Sequence, residues 1–414
     1  MVWCGRDIGR WRVPRWPGGL STAEDPWQMR GADRVRLPRN RDPREGEAGS
    51  VVAAGWLLIR DAARCGFEGP RAEAVAVTDG LRLGLNLGHW VRPGDASALV
   101  MAAERLGYES VWTAESWGSD ALTPLAWYGA QTSRIKLGTS VIQISARTPA
   151  ATAMAAVTLD HLSGGRLLLG VGVSGPQVAE GWYGTPFAQP LARTREYVDL
   201  LRVMWRRQRP ARSTGRHYPL PYRPGTGLGK PLMLNIPPLR GDIPVYLGAE
   251  GPQNVALAAE IADGWLALFT DPQKIGQVYG GALAGAPLGF DIAATVTVIL
   301  TDDMPAALRA AKQTLGFYIG GMGARTRNFH LDVVTRMGYE EAGRRVQELF
   351  LDGRRDEAID AVPDELADAV CLLGPISRIR ERLQLWRDSP VTTLLVTGPD
   401  SEPDLRAIRD AVLG

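Results

Sequence analysis

The chain has 414 residues, of which 45% are apolar and 22% are charged, a balance that excludes a disordered or fibrous protein and favours a globular one. Its formal net charge is only +2, because 45 acidic residues nearly offset 43 arginines and four lysines. No domain-wide basic surface follows from that balance, so nucleic acid is not the expected partner.

Cysteine content and hydropathy exclude two further classes. Cys4, Cys65 and Cys371 are far apart, and they match neither a disulfide framework nor a metal-ligand spacing. We therefore predict a reducing cytoplasmic location and no metal site. The longest apolar run near the start, residues 51–59, is shorter than the ~20 residues that cross a bilayer, which predicts no membrane segment.

The first 79 residues differ from the rest of the chain, because they show no sustained helical or strand period. We interpret residues 1–79 as an N-terminal extension without regular structure, or as the product of an upstream start codon chosen in error. Their tryptophans are unusual for a disordered segment. Residues 80–414 are predicted to form one domain.

Regular alternation begins at residue 81, where strand-like runs and helical windows start to follow one another. The predicted strands are residues 81–87, 110–113, 135–142, 167–171, 243–247, 265–269, 292–300 and 392–396. The clearest helical windows are residues 96–106, 149–162, 253–262 and 304–317. Such alternation favours a parallel sheet, and eight units favour an α/β fold of the (β/α)8 or TIM-barrel class with rim insertions.

Two segments interrupt the alternation. Residues 208–238 are rich in Pro and Gly and are interpreted as a loop insertion on the barrel rim with a short hairpin. Residues 318–380 combine a Gly-rich stretch at 320–323 with two or three helices. Long insertions after barrel strands usually shape the active site. Residues that point into the pocket from Asn86, Trp117, Trp182 and the Gly320 region are expected to select the substrate. Rim packing is an equally good interpretation of the two tryptophans.

Two loops that follow strands carry small and hydrogen-bonding residues. Residues 174–177 (SGPQ) follow a strand containing Gly170 and Gly172, where a backbone without side chains could approach a ligand closely. Residues 248–254 (GAEGPQN) would expose amides at a helix start, which favours an anion such as phosphate. Each loop alone is compatible with a structural turn. Both loops, with the SARTP stretch at residues 145–149, predict a phosphorylated cofactor.

Five stretches carry a more specific signal, namely LGLNLGHW, VWTAESWGSDAL, KLGTSVIQISARTP, GGRLLLGVGVSGPQVAEGWYG and PVYLGAEGPQNVALAAEIADGW. Together they resemble the bacterial luciferase-like superfamily and, within it, the branch of coenzyme F420-dependent oxidoreductases. SGPQVAEGWYG and GGMGARTRNFH are similar to the members described as methylenetetrahydromethanopterin reductase-like. The resemblance extends from about residue 81 to the C-terminus.

The resemblance implies a barrel whose carboxyl rim holds the deazaflavin coenzyme F420, with its ring toward the barrel centre and its phosphate and polyglutamate tail outward. It also implies a non-prolyl cis peptide in the third strand, at the place of Ser140 and Val141. The residues assigned to the ring and the ribityl chain are Ser140, Val141, Gln143, Gly172, Ser174, Gly175 and Gln177. The phosphate-holding loop matches Ala249, Glu250, Gly251 and Pro252.

Four residues bear on how far the resemblance extends to the chemistry of the site. Glu250 puts a carboxylate where a neutral residue is commoner in the phosphate loop. Glu115 ends the second strand, where family members often hold an acidic residue near the ring, and it is one catalytic candidate. Ser116 follows it in place of the histidine of the sugar-phosphate dehydrogenase relatives, so a sugar phosphate is a poor substrate. His89 is the second catalytic candidate, as a proton donor or acceptor, although a packing role is equally compatible with it.

Three functional hypotheses follow. The first is an F420-dependent oxidoreductase that transfers a hydride to or from a small organic substrate. The second is an FMN-dependent luciferase-like monooxygenase, since the same barrel serves both cofactors. The third is a deazaflavin-binding protein without turnover. Superfamily relatives usually pair through helices beside the early strands, so the resemblance also implies a homodimer.

Overall fold

The computed structural model describes residues 80–88 and 93–414, and the prediction for residues 1–79 lies outside that range. Strands and helices alternate through most of the described chain. The strands are β1 (Arg82–Asn86), β2 (Ser110–Thr113), β3 (Lys136–Thr139), β4 (Ile142–Gln143), β5 (Leu167–Gly172), β6 (Val245–Gly248), β7 (Gly264–Ala267), β8 (Asp291–Leu300), β9 (Cys371–Gly374) and β10 (Thr393–Thr397). The helices are α1 (Ser97–Arg105), α2 (Leu122–Gln131), α3 (Pro149–Ser163), α4 (Pro176–Ala179), α5 (Pro190–Arg206), α6 (Pro252–Ile261), α7 (Ile275–Leu283), α8 (Met304–Gly321), α9 (Phe329–Arg336), α10 (Glu340–Leu351), α11 (Arg355–Asp360), α12 (Asp364–Val370), α13 (Ile376–Arg387) and α14 (Glu402–Val412).

Eight of these strands close into a barrel, which confirms the predicted TIM-barrel fold. Their order around the ring is β1, β2, β3, β5, β6, β7, β8 and β10, and every pairing is parallel. The ring closes where β10 pairs with both β8 and β1, with Leu83 opposite Leu394. Because the strands are parallel, all their carboxyl ends share one rim, the end where barrel enzymes place their active sites.

The inside of the barrel is filled by large side chains. Trp112 of β2 and Tyr246 of β6 lie on strands three places apart in the ring, yet their ring centroids are 5.3 Å apart in an edge-to-face arrangement. Leu168, Leu266 and other buried residues belong to the same cluster. The remaining apolar residues of the strands pack outward against the helices. The barrel centre is therefore a packed core, and a ligand has room only at the rim.

All eight predicted strands are found as barrel strands, with ends that shift by no more than about two residues except in the third. The third predicted run is divided into β3 and β4, and the division falls at Ser140 and Val141. The sequence analysis missed β9, which lies outside the barrel ring and extends the end of β8, with Thr297 opposite Cys371. Since β9 continues directly from α12 without a turn residue, its four residues resemble the end of a helix.

The Pro- and Gly-rich insertion contains the expected short hairpin, because Ser213 and Leu220 form an antiparallel bridge. Its expected position on the rim of the site is wrong. The segment connects α5 to β6, and near its end Arg240 binds Asp160 Oδ1 at 2.7 Å and the main-chain oxygen of Leu167 at 2.6 Å. Leu167 is the first residue of β5, so the segment reaches the amino ends of the strands, opposite the predicted site.

A second apolar core lies outside the barrel, and we call it the satellite core. It is built from helices α8 to α12 with β9, around buried side chains such as Leu315, Val334 and Val346. Four of these helices, α9 to α12, lie wholly within residues 318–380, more than the two or three predicted there. Gly320 lies inside α8, where a Cβ would be 2.4 Å from Phe350. The structure gives Gly320 a helix-packing role in place of the expected pocket position.

The GGRLLLG stretch stabilises the amino end of the barrel. Arg166 donates hydrogen bonds to the main-chain oxygens of Gly129, Thr132, Ile135 and Ser163 at 2.7 to 3.0 Å. Burial lowers the pKa of its guanidinium, against the opposing charge of a nearby glutamate. The arginine ties the ends of α2 and α3 to the start of β3, so this part of the motif has a structural role.

Two kinds of feature are not found in the described part of the chain. Its helices include none with the length and hydropathy needed to span a membrane. Among residues 80–88 and 93–414, no group of three or more His, Cys, Asp or Glu side chains is placed to hold a metal ion.

Candidate active site

The predicted site residues that the structure describes lie on four neighbouring rim segments, which follow β2, β3, β5 and β6. At the centre, the peptide between Ser140 and Val141 is cis, as the resemblance implied. The side chain of Val141 packs against the barrel interior. An added Cβ on Gly172 would be 2.6 Å from Val141, and one on Gly248 would be 2.9 Å from it. Glycine at both positions therefore makes room for the side chain of Val141. The sequence analysis had expected a ligand in the space beside Gly172.

Glu115 is placed in a network of hydrogen bonds. Its carboxylate accepts from the Arg147 guanidinium at 2.6 Å and from the Gln143 main-chain amide at 3.0 Å. The side chain is almost fully buried, whereas that of Arg147 is about a fifth exposed. Burial acts to lower the pKa of Arg147, but the hydrogen bond and charge of Glu115, with Asp120, raise it above its ordinary value. Glu115 thus joins the end of β2 to the segment that carries the cis peptide.

Gln143 presents a hydrogen-bond acceptor without a partner. Its side chain is 3% exposed, and its Nε2 donates to the main-chain oxygen of Glu115 at 3.0 Å. That bond fixes the orientation of the amide and leaves Oε1 buried without a partner among the described residues. The hydroxyl of Ser145, two residues further on, is also buried and unpaired within the described structure. Buried polar atoms normally have partners, so the segment from Gln143 to Ser145 is suited to a bound ligand with hydrogen-bond donors.

The loop after β5 has an unusual backbone. Ser174 has a φ of 56°, in the left-handed region that few residues other than glycine adopt. Gly175 follows in an extended conformation and precedes the short helix α4, and Gln177 is exposed on that helix. Non-glycine residues held in this region cluster at binding sites, which supports the predicted role of the loop.

Two rim loops are joined beside the predicted tryptophans. The Tyr183 hydroxyl donates to the main-chain oxygen of Ser116 at 3.5 Å, and burial raises the pKa of that hydroxyl, with a further contribution from the charge of Glu115. Trp117 and Trp182 are the sequence neighbours of these two residues and are both exposed. They therefore belong to the same side of the rim.

Both polar atoms of the side chain of Asn86, another residue predicted to select the substrate, form hydrogen bonds within the protein. Its Nδ2 donates to Thr295 Oγ1 at 3.3 Å, and its Oδ1 accepts from the amide of Gly88 at 3.0 Å. The side chain ties β1 to β8 and closes a turn. His89 lies outside the described residues, so its catalytic role stays a prediction.

The loop after β6, residues 248–252, is held by side chains from three other elements. Trp265 of β7 donates to the main-chain oxygen of Ala249 at 2.8 Å. Tyr279 of α7 and Arg336 of α9 both donate to the main-chain oxygen of Glu250, each at 2.8 Å. Gly251 then caps α6, which has Pro252 in its first turn and no side-chain cap. The amino end of α6 is thus presented at the rim by a rigid loop.

The carboxylate of Glu250 contacts a residue that the sequence analysis did not select. Its Oε1 lies 2.8 Å from Nδ1 of His330, on the first turn of α9. His330 is positioned there because Asn328 caps α9, accepting from the amide of His330 at 3.0 Å. The NFH letters of the GGMGARTRNFH stretch contained this signal, since Asn is a preferred helix cap. The contact between residues 250 and 330 depends on the fold.

Several known proteins are similar to this chain in sequence or in fold. A family model described as Luciferase-like monooxygenase matches residues 75–393. A Mycobacterium tuberculosis protein named "Putative coenzyme F420-dependent oxidoreductase" is 52% identical over 343 residues, which cover 80% of this chain and 99% of that protein. The 5,10-methylenetetrahydromethanopterin reductase of Archaeoglobus fulgidus is 28% identical over 330 residues, 76% of this chain and 93% of the reductase. The solved coenzyme F420 dependent tetrahydromethanopterin reductase from Methanopyrus kandleri has the same fold, with a TM-score of 0.65 at 24% identity, covering 81% of this chain and 99% of that one.

Proposed function

Since the chain belongs to the luciferase-like monooxygenase family, we propose that it is a coenzyme F420-dependent oxidoreductase that transfers a hydride to or from a small organic substrate. The observation that carries the proposal is Oε1 of Gln143 at the carboxyl rim, which is buried and has no partner among the residues that the structure describes. A hydrogen-bond donor on a bound ligand would satisfy it. The 52% identity to the M. tuberculosis protein favours F420 over FMN as that ligand.

In the proposed complex, the deazaflavin would contact three of the rim segments. Ser140, Val141 and Gln143 would face the ring, and the loop at residues 172–177 would face the ring and the ribityl chain. The loop at residues 249–252 would receive the phosphate, because a helix amino end favours an anion. When bound, the deazaflavin would supply or accept the hydride at its carbon 5.

The protein's own contribution is orientation, exclusion of water and one proton. Glu115 and Arg147 hold the segment around the cis peptide in place through their ion pair. Trp117 and Trp182 would cover the site from the rim and select the substrate. We propose either Glu115 or His89 as the proton donor or acceptor. The buried pairing of Glu115 with Arg147 favours a positioning role for Glu115.

Two alternatives remain open, because the same barrel serves several functions. An FMN-dependent monooxygenase would use the same rim and the same phosphate loop. A deazaflavin-binding protein without turnover would bind F420 in a pocket too closed for a second molecule. The cofactor preference distinguishes the FMN-dependent monooxygenase from the proposed oxidoreductase. The ability to admit a substrate distinguishes the oxidoreductase from the binding protein without turnover.

A side-by-side titration with oxidised F420 and FMN tests the proposal. We expect F420 to quench tryptophan fluorescence with a dissociation constant of about 1 μM or lower, and FMN to bind at least about tenfold more weakly. The reverse preference would assign the protein to the monooxygenases. Binding of neither cofactor would overturn the proposal.

We also propose that the protein is a homodimer. Helices α2 and α3 pack side by side and leave three large apolar residues uncovered, namely Trp127 (60% exposed), Met154 (60%) and Leu162 (70%). Uncovered apolar patches of this kind mark interaction surfaces, and a second copy of the chain would cover them.

The mass in solution tests the dimer. Light scattering is expected to give twice the 44.8 kDa of one chain, and Leu162→Arg is expected to shift the mass toward one chain. Leu288 is a matched control, because it is fully exposed on the loop before β8, and Leu288→Arg should leave the mass unchanged. A wild-type mass of one chain at micromolar concentration would contradict the dimer.

A cytoplasmic location also belongs to the proposal. Cys371 is a free, buried cysteine, and burial raises the pKa of its thiol to about 12. The thiol therefore stays protonated and unreactive at physiological pH. This state is compatible with a reducing compartment.

A further inference from the structure

The insertion between α5 and β6 exposes a group of large apolar side chains. Six of them lie within residues 222–239 and are between 42% and 82% exposed, namely Tyr222, Leu228, Leu232, Met233, Ile236 and Leu239. A single exposed apolar residue is ordinary on a protein surface. Six in one short segment form a concentration of the kind that marks contact with a partner.

These side chains are exposed because of the way in which the backbone is held. The main-chain oxygen of Leu234 accepts a hydrogen bond from the Arg207 guanidinium at 2.8 Å. The main-chain oxygen of Pro237 lies 2.8 Å from Nε2 of His161, in the last turn of α3. The side chain of Leu234 packs against the barrel core. Since these contacts anchor the segment to the barrel, its other large side chains remain turned toward solvent.

The insertion is also basic. Residues 207–241 contain seven lysines and arginines and no aspartate or glutamate. Arg207 and Arg240 bind within the protein. The other five are exposed and form no ion pair or side-chain hydrogen bond with another described residue, namely Arg209, Arg212, Arg216, Arg223 and Lys230. Glu196 of α5 touches the insertion, but its carboxylate is already bound by the main-chain amides of residues 216–218. We call the six apolar residues and these five cations the insertion surface.

Charge distinguishes the insertion surface from the face proposed for the dimer. Helix α2 has no charged residue, and the one acidic residue of α3, Asp160, is buried and paired with Arg240. A surface poor in charge is typical of the core of a protein–protein interface. The insertion surface would meet its own copy across a symmetric contact, and its five cations would repel one another there. A partner with negative charge therefore fits it better than a second copy of the chain.

We propose that the insertion surface binds the surface of a membrane that contains anionic lipids. Apolar side chains interleaved with lysine and arginine are suited to the boundary between lipid headgroups and acyl chains, and anionic headgroups attract the cations. A nucleic acid would attract the cations as well, but it offers no acyl phase for the leucines and the isoleucine. None of the described helices has the length and hydropathy to span a membrane, so the contact is peripheral.

The position of the insertion leaves the proposed active site open. The insertion lies at the amino ends of the strands, where Arg240 contacts the first residue of β5, whereas the proposed cofactor site lies at the carboxyl ends. A protein bound through the insertion surface would present its carboxyl rim to the solution, and a small substrate would reach the site from that side. Binding to a membrane goes beyond the proposed function and does not depend on the cofactor.

Flotation with two kinds of vesicle tests the proposal, one of phosphatidylcholine alone and one of equal parts phosphatidylcholine and phosphatidylglycerol. We expect the wild type to bind the anionic vesicles at least about tenfold more tightly than the neutral ones. Binding should weaken at about 1 M salt, where the Debye length falls to ~3 Å.

Two double variants separate the apolar contribution from the charge. Leu232→Ser with Ile236→Ser removes two exposed apolar side chains and keeps every cation, so it should bind anionic vesicles at least about tenfold more weakly than the wild type. Arg223→Gln with Lys230→Gln keeps the apolar residues, and it should lose roughly tenfold of the preference for anionic over neutral vesicles.

A matched control makes the same kinds of change elsewhere. Leu351, at the end of α10, is 38% exposed, and Arg380 of α13 is exposed without a partner among the described residues. Leu351→Ser with Arg380→Gln should bind anionic vesicles as the wild type does. All three double variants should keep the wild-type melting temperature, because the substituted side chains are exposed. The residues before 80 are also rich in arginine, so the comparison of variants decides the result.

Two results would overturn the proposal. The first is failure of the wild type to bind anionic vesicles, and a lower mass of the serine variant in solution would then assign the insertion surface to a contact between copies. The second is equal binding of anionic vesicles by the serine variant and the wild type, because cations alone, as in binding to a nucleic acid, would then explain the attraction. Neither result bears on the cofactor, which the F420 titration tests separately.

Discussion

Gly175→Trp is expected to abolish cofactor binding while the fold stays intact. Gly175 has φ −114° and ψ 167°, an extended conformation that any residue adopts. A Cβ there would meet only Oε1 of Gln177, at 2.9 Å, and that atom ends a flexible, exposed side chain. The indole would therefore occupy the space proposed for the deazaflavin. We expect F420 affinity to fall by more than about 100-fold, with a change in unfolding free energy within about 0.5 kcal/mol, as for a surface substitution.

The matched control for this variant is Gly241→Trp. Gly241 lies in the segment that leads into β6 at the amino ends of the strands, is exposed, and has nothing within 4 Å of an added Cβ. The Gly241→Trp variant should bind F420 with wild-type affinity. Normal binding by Gly175→Trp, measured by the same fluorescence titration, would show that the site is placed wrongly.

Glu115→Leu is expected to destabilise the protein by about 2 kcal/mol, because the partly buried Arg147 guanidinium and the Gln143 main-chain amide both lose a hydrogen bond to a charged group. The substitution removes the carboxylate that binds Arg147 and the Gln143 amide. Arg147 would keep its weaker contact with Asp120 at 3.8 Å, and the Gln143 amide would lose its acceptor. Urea denaturation followed by circular dichroism measures the effect, and F420 affinity is expected to fall as well, because the segment around the cis peptide loses its anchor.

Glu109→Leu is the control for this variant. Glu109 also pairs with a basic residue of the neighbouring strand, Lys136, but both side chains are about one-third exposed. An exposed pair of this kind contributes less than about 1 kcal/mol. Equal stability of Glu115→Leu and the wild type would contradict the structural role of Glu115 and would favour a free catalytic carboxylate instead.

The strand pattern of the sequence predicted the barrel, because each barrel strand is buried on both faces and is bounded by turn residues. The run that forms β5, LLLGVG, is buried along its whole length, as in a parallel sheet covered on both sides. The start of α3 was predictable from Pro149, and in the structure Thr148 caps that helix. The position of the cis peptide followed from the resemblance and is confirmed at Ser140 and Val141.

Other features were not predictable, because they depend on contacts between distant parts of the chain. The pairing of Glu115 with Arg147 joins two rim loops, and that of Glu250 with His330 joins a barrel loop to an inserted helix. A composition rich in Pro and Gly indicates a loop but not the end of the barrel on which it lies, so residues 208–238 were misplaced. Strand β9 was missed because it follows α12 with no turn residue between them, so the sequence does not separate it from the helix.

The length of β8 limits how the molecule can move. Its first half lies in the barrel wall, with Ala293 to Thr297 paired with β10, and its last residues, Thr297 to Leu300, carry β9 of the satellite core. A hinge between the barrel and the satellite core would have to bend this strand in the middle of its hydrogen-bond ladder. The barrel and the satellite core are therefore coupled through one shared strand, which favours substrate entry by movement of individual rim loops over the opening of a cleft between the two.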